Sequence, residues 1–134
     1  MTVLDQGLIA YLQANAGLIT LISTRVYSFA IPQGATLPCL VLQRISTPRI
    51  ATMDMSGATG TLAHPRFQFD GWSTTYAVSK AITDALRAAL NGHTGTTGTG
   101  VTIRAALVAD EVPELDPETH LYRGRSDYII WHEE

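Results

Sequence analysis

A change of hydrophobic period between positions 66 and 92 is the feature that most constrains the fold of this 134-residue chain. In the first part of this stretch, Phe67 and Phe69 alternate with the polar residues Gln68 and Asp70. A period of two places successive side chains on opposite faces of an extended backbone, which is the pattern of a half-buried β-strand. We therefore predict a strand with its two phenylalanines on the buried face.

A helical period follows directly. Val78, Ile82 and Leu86 recur every four residues, and Asn91-Gly92 provides a C-terminal stop. This spacing predicts an amphipathic helix whose apolar face packs on a sheet, opposite the two phenylalanines. The remaining face is predicted to be polar and to carry Lys80, Thr83, Asp84 and Arg87.

The rest of the chain adds a second helix and further strands. Leucine spacing predicts an N-terminal helix that ends near Asn15, and apolar runs predict strands at Cys39–Ile45, Val101–Val108 and Leu121–Trp131. A brief strand is expected at Arg25–Tyr27. We expect an α+β fold: a mostly antiparallel sheet of four to five strands, with the N-terminal helix and one central amphipathic helix packed on it. The length suits a single domain over residues 1–134.

Charge is sparse in this chain. Charged residues make up 16% of the sequence, hydrophobic residues 46%, and the formal net charge is −3. This balance argues against a protein that grips nucleic-acid phosphates with a broad basic face, and the low surface charge favours self-association. No apolar run approaches the about 18 residues of a membrane span, and the N-terminus lacks a signal-peptide pattern. We expect no membrane partner.

Catalysis by Cys39, with His64 or His120 as its base, is the main enzymatic alternative. The thiol lies within an apolar run, where a cysteine is usually inert packing. None of the four histidines shows metal-ligand spacing, and the sequence has no dinucleotide fingerprint. We expect no catalytic residue, metal or cofactor. A small soluble binding module, or an enzyme that uses Cys39 with a histidine, stays open as the alternative.

Two irregular segments are candidates for contacts with other molecules. Thr47–Pro65 lies between two strands, which predicts an extended hairpin, and connections of this length are usually functional. Glu111–Thr119 is predicted to be an acidic turn. The densest acidic cluster of the chain overlaps this turn and consists of Asp110, Glu111, Glu114, Asp116 and Glu118. It is either a solvated turn or an electrostatic patch that faces a partner or a channel.

Arginines lie near both segments. Arg123 and Arg125 are two residues apart in the last strand, so they should project from the same face of the sheet. Such a pair could meet an acidic patch on a neighbouring copy. The candidate subunit-interface residues are Arg44, Arg49, Met53, Arg66, Arg123 and Arg125.

Three phrases in a fixed order give the sequence a resemblance to a known family. They are RVYSFAIPQGATLPCLVLQRIS, RFQFDGWSTTYAVSKAITDALRAALNG and DEVPELDPETHLYRGRSDYIIWHEE. The chain resembles the tail completion (tail terminator) proteins of long-tailed bacteriophages and of phage-derived gene transfer agents over nearly its whole length. The most specific parts are the Arg25–Pro38 phrase, the Q-x-D-x-W strand and the closing L-Y-R…Y-I-I-W strand.

The resemblance implies a non-enzymatic virion protein of the tail or neck region, assembled in the host cytoplasm. It implies a hexameric ring that caps the finished tail tube, presents a surface to a head-side connector or stopper protein, and lets DNA pass through its centre. The five acidic residues at positions 110–118 are then candidates for the channel or its rim, because a negative lumen would not retain DNA.

Overall fold

The computed structural model describes residues 3–29, 31, 34, 36–50, 62–96 and 102–133. Within these ranges, three helices span Val3–Gln13 (α1), Ala16–Ile22 (α2) and Tyr76–Leu90 (α3). The strands span Val26–Ser28 (β1), Cys39–Ser46 (β2), Arg49–Ile50 (β3), Leu62–Ala63 (β4), Arg66–Ser73 (β5), Gly95–Thr96 (β6), Thr102–Leu115 (β7) and Tyr122–Glu133 (β8). None of these helices is long and apolar enough to cross a membrane.

Five principal strands form one sheet in the order β1-β2-β5-β8-β7. Strand β1 runs parallel to β2, and the other principal neighbours are antiparallel. The two-residue strands β3 and β4 pair with each other and extend the sheet where β4 lies along the end of β8, while β6 pairs with the start of β7. The predicted α+β fold with a mostly antiparallel sheet is therefore confirmed.

The helices cover one face of the sheet, and the hydrophobic core lies between the two layers. Phe67 and Phe69 are fully buried there and share one cluster with Ile82 and Leu86 of α3, as the two sequence periods predict. Val78 lies at the edge of this cluster and is only partly buried. The helices α1 and α2 contribute Leu4, Leu8, Leu12, Leu18 and Ile22.

The predicted polar face of α3 is wrong at Thr83, which is only 7% exposed. Its hydroxyl donates to the Ser79 carbonyl (3.1 Å), and the Ser79 hydroxyl donates to the Gly71 carbonyl (3.2 Å). Because both hydroxyls have partners, burying them costs little. The helix approaches the sheet closely here, since a Cβ on Gly71 would lie 2.7 Å from Ile82 Cγ2 and one on Gly124 would overlap Thr83 Oγ1.

We predict that Gly124→Ala lowers the free energy of unfolding by about 1–3 kcal/mol, because the added methyl group overpacks the contact between α3 and β8. Besides Thr83 Oγ1, the methyl would meet Ser79 Oγ at 3.1 Å and the Ser79 carbonyl at 3.3 Å. Urea denaturation of Gly124→Ala, Thr83→Ala and the double variant checks this. The double variant should lose clearly less than the sum of the single losses. Additive losses would show that α3 does not limit the space at position 124.

The predicted acidic turn at Glu111–Thr119 is wrong in its first half. Strand β7 continues to Leu115 and pairs with β8 from Ile103 to Leu115, with register shifts between Ile103 and Ala105 and between Val108 and Asp110. Pro113 is compatible with this strand because, among the described residues, no second strand pairs with β7 at that point. The β7–β8 connection is therefore limited to residues 116–121.

The two irregular segments lie at opposite ends of the sheet. Strands β3 and β4 form the paired base of the predicted hairpin beside His132 and Glu133, whereas residues 51–61 lie outside the described residues. The 116–121 connection is at the other end of β8, next to Ser73. The 12 residues of β8 separate the two ends by roughly 40 Å at about 3.3 Å per residue.

Candidate assembly surfaces

Four charged side chains form a network on the face of the sheet that the helices leave uncovered. Asp70 lies opposite Arg125 and Glu114 lies opposite Arg123 in the strand register, so all four project from this face. Arg123 bonds to Glu114 and its Nε lies 3.9 Å from Asp70 Oδ1, while Arg125 Nη1 lies 3.6 Å from Glu114 Oε1. The prediction that Arg123 and Arg125 project together is confirmed, and both meet a carboxylate of their own chain.

A shallow pocket of about 360 Å³ adjoins this network. We call it the Trp72 pocket, and its lining includes Phe29, Ile31, Val41, Gln43, Gln68, Asp70, Trp72 and Arg123. The guanidinium of Arg123 lies over the Trp72 ring, 5.5 Å from its centroid. Phe29 is 62% exposed and has a φ of 67°, a left-handed conformation that costs a residue with a Cβ about 1–2 kcal/mol. The pocket thus joins exposed aromatic surface to charged groups.

Asp70 is the most deeply buried charged group of this pocket, at 6% exposure. Both of its carboxylate oxygens accept from one nitrogen, Gln68 Nε2, at 3.2 Å. Burial raises the pKa of the Asp70 carboxyl above its ordinary value, and this outweighs the opposing effects of Gln68 and Arg123. The ionised form of Asp70 is therefore under-stabilised in the folded chain.

The other predicted interface residues differ in their surroundings. Arg66 donates to Asp127 Oδ2 (2.7 Å) on the same uncovered face and remains 42% exposed. Arg44 lies on the helix-covered face, where it pairs with Asp5 (2.5 Å) and stacks over the Phe67 ring. Arg49 is part of β3, but its side chain lies outside the described residues, as does Met53 entirely.

The five acidic residues predicted for a channel or rim fall into two groups. Glu111 and Glu114 form ion pairs with arginines, since Arg87 donates to Glu111 at 2.8 Å and Arg123 bonds to Glu114. The other three of the five form no ion pair in the described part of the chain; they are Asp110, Asp116 and Glu118. Asp116 accepts a hydrogen bond from the backbone N–H of Glu118 at 3.0 Å, and Asp110 accepts one from the backbone N–H of Glu111. The Glu118 hydrogen bond lowers the pKa of Asp116. Of these three carboxylates, Asp116 and Glu118 therefore lie in the β7–β8 connection, whereas Asp110 lies opposite Asp127 within the β7–β8 strand pair.

The family model of tail completion protein gp17 matches residues 6–133 of the chain. The chain belongs to this tail completion family. The resemblance drawn from the three sequence phrases is thereby confirmed, and the chain is a structural protein of the phage tail, located in the tail or neck region of the virion.

A solved structure supports the fold of this tail completion family member. A chain from the virion of a native gene transfer agent particle superposes with a TM-score of 0.75 and is 20% identical, covering 98% of this chain and 95% of that one. At that identity, the similarity establishes the shared fold. No curated protein matches the chain.

The surroundings of Cys39 disfavour the enzymatic alternative for this member of the tail completion family. The thiol is fully buried, and that burial raises its pKa, although Arg25 acts in the opposite direction. A thiol with a raised pKa provides little of the nucleophilic thiolate. Of the predicted bases, His64 stacks on Trp131 with ring centroids 4.3 Å apart. In the described ranges, no group of three His, Cys, Asp or Glu side chains could hold a metal ion.

Sequence reasoning missed the Trp72 pocket. The Q-x-D-x-W alternation does place Gln68, Asp70 and Trp72 on one face, so a polar patch there was predictable. Phe29 gave no signal, because it lies in a loop phrase without periodicity and its left-handed φ is not encoded by a glycine or asparagine. Its position beside β2 depends on the parallel pairing of β1 with β2, which local pattern does not specify.

Proposed function

We propose that this chain forms a hexameric ring that caps the tail tube and joins it to a head-side connector or stopper protein, with DNA passing through its centre. We propose a purely structural role for it, without catalysis. The observation that carries this proposal is the match of the tail completion family model over residues 6–133. The ring, the copy number and the channel are inferences beyond that match.

The distribution of charge supports a channel that does not retain DNA. Six copies with a net charge of −3 give a ring of 6 × (−3) = −18. Most described cations are neutralised within the chain, including Arg87 by Glu111 and Arg66 by Asp127. A negative lumen makes few phosphate contacts, and a narrow pore increases the repulsion. Asp110 and Glu118 are therefore the strongest candidates for its wall or rim.

The geometry of the sheet supports contacts with two different neighbours. The base of the 47–65 hairpin and the 116–121 connection lie at opposite ends of β8. A protein that joins two partners needs two separated surfaces, and these ends provide them. We propose that the hairpin contacts a neighbouring subunit or ring, while the part of β7 from Asp110 onward and the 116–121 connection face the channel.

We predict that Asp110→Lys/Glu118→Lys leaves the ring assembled but slows DNA release from the particle. Both side chains are exposed and neither forms an ion pair among the described residues, so the substitutions should not disturb the fold. Mass photometry should give 6 × 14.5 kDa = 87 kDa for the free ring, and a ring that forms only on tail tubes should add that mass to each tube end. DNA release is then followed with a fluorescent dye on particles that carry the variant.

A control with the same charge change separates channel effects from total charge. Lysines at four exposed positions of the helical layer, Gln6, Ala10, Ala14 and Thr24, also add four positive charges. DNA release should be normal in that control. Normal release in the Asp110/Glu118 variant would refute the channel assignment, whereas a chain that remains monomeric in the presence of tail tubes would refute the ring.

A further inference from the structure

Three unfavourable features meet in the Trp72 pocket. Asp70 is a buried carboxylate, Phe29 is an exposed aromatic ring, and the backbone of Phe29 has a left-handed φ of 67°. Each of these lowers the stability of an isolated domain. Strained and destabilising groups are concentrated at functional sites, because they are retained for binding a ligand and not for the stability of the fold.

The hydrogen bonding of Asp70 indicates the charge of that ligand. An ionised carboxylate can accept about four hydrogen bonds, whereas the described residues give Asp70 one donor nitrogen, Gln68 Nε2, and place Arg123 Nε at 3.9 Å. Arg125 and Glu114 complete the charged surroundings, and with Asp70 and Arg123 they form a neutral set. An added cation would meet an under-bonded carboxylate without net repulsion.

The aromatic rings indicate the shape of the ligand. Trp72 already carries the Arg123 guanidinium over its ring, and the 62% exposed Phe29 offers a second ring to the same pocket. A guanidinium is planar and weakly hydrated, so it stacks on aromatic faces and donates two hydrogen bonds to one carboxylate. A lysine ammonium is not planar, so it cannot stack on a ring, and it lacks the fork of parallel donors that binds both oxygens of a carboxylate.

We propose that the Trp72 pocket receives an arginine side chain from a different virion protein, with its guanidinium against Phe29 and bonded to Asp70. A second copy of this chain is the weaker donor, because its described lysine and arginines already have partners in their own chain. The inference is independent of the ring, since the pocket is complete within one chain.

The test adds N-acetyl-arginine-amide, as the probe, to the free chain. Binding is monitored by NMR through the indole N–H resonances of the two tryptophans. Trp131 stacks on His64 outside the pocket, so its resonance is an internal control. Trp72 should shift saturably and Trp131 should not. N-acetyl-citrulline-amide, the neutral isostere, should bind about tenfold more weakly, because a charge-assisted bond to a buried carboxylate is lost.

Two variants assign the contacts. Asp70→Asn should abolish the preference for arginine over citrulline, and Phe29→Asn should weaken both probes, since asparagine tolerates the left-handed backbone but lacks the ring. As a matched control, Leu107→Ala removes an exposed apolar side chain outside the pocket and should change nothing.

Stability measurements separate binding from folding. The folded-state pKa of Asp70 is raised by burial, so its contribution to stability is greatest when it is protonated and falls as the pH rises through that pKa. Asp70→Asn should therefore unfold at an equal or higher urea concentration than the wild type at neutral pH, with the difference shrinking in acid.

Three results would overturn the proposal: equal binding of the arginine and citrulline probes, a shift of Trp131 in place of Trp72, or no saturable shift. A Trp72 resonance that moves with protein concentration alone, and stops moving in Asp70→Asn, would assign the pocket to a second copy of the chain and would equally overturn it.

Discussion

Truncation of Leu86 to alanine is expected to lower the free energy of unfolding by about 2–5 kcal/mol. Leu86 is 1% exposed and lies in the cluster that joins α3 to the two phenylalanines of β5. The substitution removes buried methyl groups and leaves a cavity that α3 cannot close, because its approach to the sheet is already limited at Gly71 and Gly124. Urea denaturation followed by tryptophan fluorescence measures the loss.

Leu115→Ala is the matched control for this prediction. Leu115 is 52% exposed at the end of β7, so the same truncation should change the free energy of unfolding by no more than about 0.5 kcal/mol. If both variants unfold at the wild-type urea concentration, α3 does not pack on the sheet through Leu86.

Local periodicity predicted the parts of the fold in which one face is apolar. The alternation at Phe67 and Phe69 and the four-residue spacing at Ile82 and Leu86 report burial directly, and both are confirmed. The prediction of an exposed side chain was wrong at Thr83. Threonine is counted as polar in the sequence pattern, but its hydroxyl can be buried when it bonds to a carbonyl of its own helix.

The second half of β7 was missed for a different reason. Its charged residues and Pro113 are typical of a turn. Local propensity contains no information on which residues of another strand lie opposite them. In the fold, Glu114 lies opposite Arg123, and Pro113 lies where no second strand pairs with β7 among the described residues. This segment therefore forms a strand although its sequence resembles a turn, because opposite charges attract across the strands and the proline lies at the edge of the sheet.

Candidate site residues were harder to predict than the strands. Arginine positions are visible in the sequence, but their partners are not, because Asp5 lies 39 residues from Arg44 and Asp127 lies 61 residues from Arg66. A side chain predicted for an interface between subunits can equally hold its own domain together. For Arg44, the two roles lead to opposite experimental outcomes.

We expect Arg44→Met to lower the free energy of unfolding by about 3–5 kcal/mol, because it leaves the Asp5 carboxylate buried without its counter-charge. The side chains are only 16% and 7% exposed, and Arg44 Nη2 lies 2.5 Å from Asp5 Oδ1. Arg44 also donates to Thr47 Oγ1 at 3.0 Å and covers the Phe67 ring, so the pair joins α1 to β2 and the core.

Removal of both charges should restore much of the lost stability. In Asp5→Leu/Arg44→Met neither charge of this buried pair remains, and apolar replacements of a buried ion pair are often neutral or stabilising. The double variant should therefore unfold at a clearly higher urea concentration than Arg44→Met alone, which is a coupling that independent sites would not show. If Arg44 instead serves a subunit interface, Arg44→Met should leave the monomer as stable as the wild type and block assembly. That outcome would make the pair with Asp5 incidental to folding.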